Sequence, residues 1–338
     1  MLGQQVNSKA DSKDVEVPSA PNDSVSCLAW SPKANYLVAG SWDNQVRCWE
    51  VQQSGQVVPK ASINHDGPVL CATWSGDGTQ IFSAGCDNKA KCWPLATGVP
   101  TQCAQHDAPI KTIAYVDEMS ALCTGSWDKT MRYWDGRQQG PALVTQLPER
   151  MYCMDILYPL AVVATAERHV LIYDLRKPQV EYKRFQSPLK YQSRCIACFP
   201  DKTGFALGSI EGRVAIHHVE DKDNMKNFAF KCHRDGSNIY AVNSISFHPI
   251  YGTFATSGSD GMFNFWDKDS KQRLKYFNRC SLPIPCGVFN RDGALYAYAV
   301  SYDWSKGSEH HNPHAKNTIL IHPTNDQEIK NRGGRKKR

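Results

Sequence analysis

Five groups of residues in this chain have types and spacings that chemistry could use. Cys195 and Cys198, in CIAC, carry the two-residue gap of a redox dithiol or half a zinc site. His310, His311 and His314, in HHNPH, offer three imidazoles to a metal. His65 in HDGPV and His106 in HDAPI each precede an aspartate. Arg213, Lys231, Arg234, Lys268, Lys271 and Arg273 are interleaved with Phe228, Phe230 and Trp266. Cations of this kind follow phosphate, and the aromatic faces stack bases or seat an apolar anchor. The last group is the tail KNRGGRKKR, with Lys330, Arg332, Arg335, Lys336, Lys337 and Arg338. The chain has no GxxxxGK[ST], GxGxxG or GxSxG motif.

What must position these residues is a repeat. Asp43, Asp87, Asp128, Glu167, Glu211 and Asp260 each open a turn followed by a short apolar-alternating run, as in DNQVRCWE and DKTMRYWD. Asp303 opens a seventh, divergent copy that reaches TILIHP after an insertion. The acidic residues are 44, 41, 39, 44, 49 and 43 positions apart, the period of a four-stranded propeller blade. After each turn the period is two: Val46 and Cys48, Ala90 and Cys92, Met131 and Tyr133, Val170 and Ile172, Val214 and Ile216, Phe263 and Phe265. An aromatic column (Trp49, Trp93, Trp134, Tyr173, Trp266) points to the other face, where it can pack between blades. His217 and His322 hold that column as weaker wedges in copies five and seven.

Strands such as YLVAGS and ALCTGS precede the turns, and strands such as VSCLAWSP precede those. The expected fold is an all-β, seven-bladed β-propeller over residues 13–324. The N-terminal KDVEVP, alternating Val15 and Val17, is expected to supply the outer strand of the last blade, which removes two sheet edges. Residues 1–12 and a basic tail, 325–338, are expected to be disordered.

These elements decide most of the chemistry. CIAC falls in a strand, where positions three apart face opposite sides, and no second Cys pair exists, so no metal is expected. HHNPH falls in the seventh-copy insertion and reads as a polar surface loop. The inner strand ends carry mostly Gly, Ser, Ala and Cys, which argues against a channel active site. The 13 cysteines lie in apolar runs and no secretory signal opens the chain, so a reduced, intracellular protein is expected. No apolar stretch is long enough to span a membrane.

The net charge of +6 is the tail's: without its six cations the chain has 33 basic and 33 acidic side chains. Gly333 and Gly334 keep that tail open as a salt-dependent, sequence-blind RNA contact or a nuclear import address.

On these repeats the chain resembles the Trp-Asp (WD40) family of β-propellers across roughly residues 25–323. In SIEGRVAIHHVE, FAFKCHRDGSNIYAVNSISFHP, FWDKDSKQRLK and SYDWSKGS it resembles the messenger RNA export factors of the nuclear pore. Those are close sisters of the mitotic checkpoint propellers. The resemblance implies a non-enzymatic adaptor without cofactor. It would hold a hairpin-forming nucleoporin segment across one face and present a basic surface to single-stranded RNA in messenger ribonucleoprotein. Its place would be the nuclear envelope at the pore, with a cytoplasmic pool. In that family viral proteins occupy the basic surface with an apolar anchor. By motif the anchor pocket maps to Phe230 and Trp266, ringed by Arg213, Lys231, Asp267 and Lys268. Family members often carry a basic residue shortly after the Asp-Lys-Asp; here Ser270 intervenes before Lys271. His-Asp turns at His65 and His106 would tie strands together. The alternative reading is a spindle-checkpoint scaffold that grips kinase-borne segments.

Overall fold

Strict alternation along the third strand of each blade builds this molecule. In Gln45–Val51, Val46 and Cys48 face Val69, Ile81 and Trp93 of the next blade, while Trp49 packs the other way against Ala297 and Ile319. Neither face of such a sheet is wet, so a single blade cannot bury itself, and a closed ring of them can. Trp49 and Trp93 are both 1% exposed. Each fully buried large side chain contributes about 1.5–3 kcal/mol.

The computed structural model describes residues 13–331. It contains seven four-stranded antiparallel sheets, each running from an inner strand at the central channel to an outer strand at the rim. The blades span 25–64, 69–105, 110–146, 151–186, 193–231, 242–276 and 287–323. Inner strands pack in chain order, and Gly287–Phe289 of blade 7 lies against Val25–Trp30 of blade 1, so the ring closes. A small hairpin, Arg234–Asp235 with Asn238–Ile239, stands between blades 5 and 6. The propeller read from the repeats is therefore the fold.

Closure is as the N-terminal alternation implies. Val15–Glu16 pairs antiparallel with Thr318–Pro323, Val15 opposite Ile321 and Glu16 opposite Leu320, and the Val17 N–H reaches Ile319 O at 2.9 Å. The clasp goes further than the sequence indicates. The Asp14 carboxylate accepts from the Tyr298 hydroxyl and, at 2.6 Å, from His322 Nδ1. On its other side His322 Nε2 meets Glu328 at 3.2 Å. Glu328 lies on a one-turn helix, Asp326–Ile329, whose Ile329 is 1% exposed and whose carbonyl accepts from Thr253 Oγ1.

The folded body thus runs past 324, where a disordered tail was expected, because one apolar side chain and one carboxylate anchor the segment. Lys330 stays with it, 3.6 Å from Asp326 and over the Tyr251 ring. Arg332, Arg335, Lys336, Lys337 and Arg338, like residues 1–12, lie outside the described residues.

His322 is a hub, not a weak wedge. Burial alone would lower its pKa; the hydrogen bonds and charges of Asp14 and then Glu328 outweigh burial and raise it. Lys275, 3.9 Å from Glu328, and the Tyr298 hydroxyl are the other ionisable neighbours. A histidine whose pKa folding raises stabilises fully below the ordinary histidine range and loses that contribution as pH climbs past the raised value. Melting temperature is therefore expected to fall as pH rises from the ordinary histidine range, about 6.5, into the alkaline region. His322→Gln should melt lower at the acidic end and with a flatter pH dependence; an unchanged pH profile in that variant would remove His322 from the clasp.

Candidate peptide and nucleic-acid interface

The basic-aromatic cluster lies at the seam of blades 5 and 6. Alternation in the outer strand Phe228–Lys231 sends Phe228 and Phe230 toward blade 6. The Phe230 ring lies 4.7 Å from Trp266 and 6.3 Å from Phe254. Trp266 cannot rotate freely: its Nε1 donates to Thr256 Oγ1 at 2.9 Å. Thr256 is in turn 2.8 Å from His233 Nε2, and His233 Nδ1 is 2.9 Å from Asp260. His233 fits because residue 258 is glycine; a Cβ there would come within 2.5 Å of Nδ1. This chain fixes one face of the indole and leaves Trp266 and Phe230 half-buried as a groove floor.

The cations divide into free and committed. Lys271, exposed and at φ 56°, lies with its Nζ 4.7 Å over Phe228. Arg273 lies between the rings of Trp266 and Tyr276, at 5.9 and 5.3 Å. Lys268 is packed instead: its side chain is 11% exposed, over Phe199 and 2.7 Å from Asp269. Arg234 spends its guanidinium on the Glu211 and Gly212 carbonyls, holding the hairpin. Asp267 is buried, and its carboxylate accepts from the Asp269 N–H and the Ser270 hydroxyl. It shapes the turn that presents Lys271. Arg213 and Lys231 are cross-strand partners on the face opposite Phe230, Arg213 being 3.7 Å from Glu211. The structure thus brings together Phe228, Phe230, Trp266, Lys271 and Arg273; Asp267 and Arg234 support from behind; Arg213 and Lys231 border the next face.

A second recess was missed by the sequence reading. On the face carrying the Trp-Asp turns, the channel mouth forms a cavity of 360 Å³ lined by Trp42, Trp127, Trp304, Tyr152, Lys111 and Arg194. Trp42 and Trp304 lie 4.5 Å apart, and Trp127 is 39% exposed. Burial and then the Arg194 charge hold Lys111 below the usual lysine range. The guanidinium of Arg194 donates to the Asp303 carbonyl at 3.1 Å. The signal was present in SWDNQ, SWDKT and YDWSK: the tryptophan beside the turn aspartate lies outside the strand alternation. The repeat of SWD suits blade architecture alone. Its aspartate does serve the turn, but its tryptophan faces the mouth.

The other candidates resolve as structure. Cys195 and Cys198 are buried on opposite faces of their strand, donating to Val242 O and Asp155 O. Burial pushes the Cys195 thiol up to about 12. His65 bridges Asp87 and Ser83, both at 2.8 Å, and His106 bridges Asp128 and Thr124 at 2.8 and 2.7 Å. They are strand ties, as is His233, which no His-Asp dipeptide announces. His310 and His314 are exposed; His311 stacks on Trp304 at 4.9 Å. The channel below the mouth, about 660 Å³, is lined by Cys27, Cys195, Cys286, Ser244 and one carboxylate, Asp155. Burial raises the Asp155 pKa, and it accepts the Cys198 N–H at 2.6 Å.

Comparison with known proteins matches the "WD domain, G-beta repeat" family at residues 13–50, 58–94, 99–135 and 226–267. The chain is 57% identical to "Protein RAE1" of Arabidopsis thaliana, over 94% of this chain and 93% of that protein. It is 49% identical to the "Poly(A)+ RNA export protein" of Schizosaccharomyces pombe, over 95% and 93%. It is 53% identical to the "mRNA export factor" of Mus musculus, over 91% and 89%.

Proposed function

Because the chain belongs to the WD-repeat family of messenger RNA export factors, we propose that it is a non-enzymatic scaffold with two docking surfaces, one for a nucleoporin segment and one for single-stranded RNA. The relatives' names support a role in messenger RNA export and a nuclear, pore-related place. The observation that carries the RNA reading is the seam of blades 5 and 6. There a locked indole and a phenyl ring form a floor, and Lys271 and Arg273 stand beside it with no carboxylate partner among the described residues. Rings stack bases without regard to sequence, and cations follow the backbone.

The channel mouth supports the other half. Three tryptophans around two converging cations suit an extended segment that combines apolar side chains with an acidic one. The export reading is preferred to the checkpoint reading because the relatives are named for export. Trp127→Ala is expected to weaken a hairpin-forming nucleoporin segment by about 30-fold, the loss typical of an exposed aromatic anchor, with RNA affinity unchanged. Calorimetric titration of both ligands checks this. Full affinity in the variant would move the segment off the mouth.

A further inference from the structure

Trp134 is the counterpart of Trp266, three blades away. Its Nε1 is also held by the threonine of a His-Asp tie, Thr124, at 2.8 Å, and it too stays half-buried while Trp49 and Trp93 are covered. Beside Trp134 the seam of blades 2 and 3 leaves a groove of 440 Å³, whose walls include Phe82, Tyr115, Cys103, Gln80 and Gln102. Phe82 and Tyr115 stack at 5.2 Å and 7°. The two seams differ in charge. Lys271 and Arg273 border the groove at Trp266. The only charged residue lining the groove at Trp134 is Asp135, which is already bound by the guanidinium of Arg137 in the same turn.

A second, independent observation concerns the rim. The outer strands of these two blades, Thr101–Gln105 and Leu143–Gln146, carry neither charge nor proline. Each of the other five outer strands carries charge: Lys60, Lys183, Lys231, Arg273 and Glu16 among them. Sheet edges are ordinarily guarded by such charges against added strands. Thr101, Gln102, Gln105 and Val144 are exposed on edges that no further strand covers among the described residues. The unguarded edge at Thr101–Gln105 lines the aromatic groove through Thr101, Gln102 and Cys103.

We propose that this sector is a second peptide-docking site, separate from the seam of blades 5 and 6. An extended, uncharged segment of a partner protein adds along Thr101–Gln105 and places one bulky apolar side chain against Trp134 and Tyr115. The edge strand offers its backbone groups to the segment, and the glutamines satisfy polar atoms beside the anchor. An ionised side chain at that place would lose its water and find no counter-ion, so the segment is neutral around its anchor.

The test uses the full chain and a fluorescein-labelled 11-residue peptide of serine and threonine with one central phenylalanine, followed by anisotropy. Saturable binding is expected. It should weaken at least about tenfold in Thr101→Lys/Gln102→Lys, and for a peptide with glutamates flanking the phenylalanine. It should be unchanged in Lys271→Glu/Arg273→Glu. Should the edge double variant melt early, Gln102→Lys alone decides. Absence of saturable binding, indifference to the edge lysines or to the glutamates, or loss in the Lys271/Arg273 variant would each overturn the proposal.

Discussion

Lys271→Glu/Arg273→Glu is expected to bind a single-stranded oligonucleotide about 10- to 100-fold more weakly at low salt. Its plot of log affinity against log salt should flatten by roughly 1.4, because each phosphate contact on a single strand contributes about 0.7. Both side chains are exposed and neither has a carboxylate partner among the described residues. The variant should therefore melt within about 0.5 kcal/mol of the parent, as surface changes do. Lys268→Glu makes the useful contrast. That ammonium is packed over Phe199 beside Asp269; against burial, the Thr203 hydrogen bonds and then the Lys268 charge hold the Asp201 carboxyl below its usual range, so reversing Lys268 sets carboxylates against one another. It should cost stability more than RNA affinity. Melting curves and filter binding at several salt concentrations separate the two. An unchanged salt slope in the Lys271/Arg273 variant would take those residues out of the RNA site.

The second large effect concerns the ring itself. Asp14→Ala removes the acceptor shared by Tyr298 and His322, both almost fully buried. Breaking a buried, hydrogen-bonded charge pair from one side costs on the order of 3–5 kcal/mol. In a chain of this size that lowers the melting temperature by on the order of 10 °C. Removing residues 1–17 should do more, because it also bares the edge of Thr318–Pro323, and soluble yield should fall. Calorimetry of the point variant is the check. A melting temperature within a degree or two of the parent would mean that the clasp does not hold the ring.

Much of this architecture was legible because alternation has only two outcomes. Val46 and Cys48 had to face one neighbour and Trp49 the other, and the same argument placed Val15 and Val17 in the last blade. The features missed are those that alternation does not govern. Trp42 and Trp127 belong to turns, so periodicity gave no reason to separate their fate from that of the aspartate beside them. His322 occupies the wedge column, and only Asp14 and Glu328, drawn in from both chain ends, make it a charged hub. The one-turn helix at Asp326–Ile329 is too short to leave a helical pattern. At the candidate site, the family motif and the adjacency of blades 5 and 6 brought Arg213, Lys231, Arg234, Asp267 and Lys268 together. Strand parity and local hydrogen bonds then sort them, leaving Lys271 and Arg273 beside Phe228, Phe230 and Trp266. Arg273, drawn from the residues themselves, lies over the Trp266 ring, whereas Lys268 lies over Phe199.

The central claim is that RNA lies on the seam of blades 5 and 6. Ultraviolet crosslinking of the purified chain to a short oligouridine, with the attached peptides identified by mass spectrometry, tests it most directly. The expected crosslinks fall within residues 228–276, on Phe228, Phe230 or Trp266, and vanish in Lys271→Glu/Arg273→Glu. Crosslinks concentrated on other blades, or persisting undiminished in that variant, would contradict it.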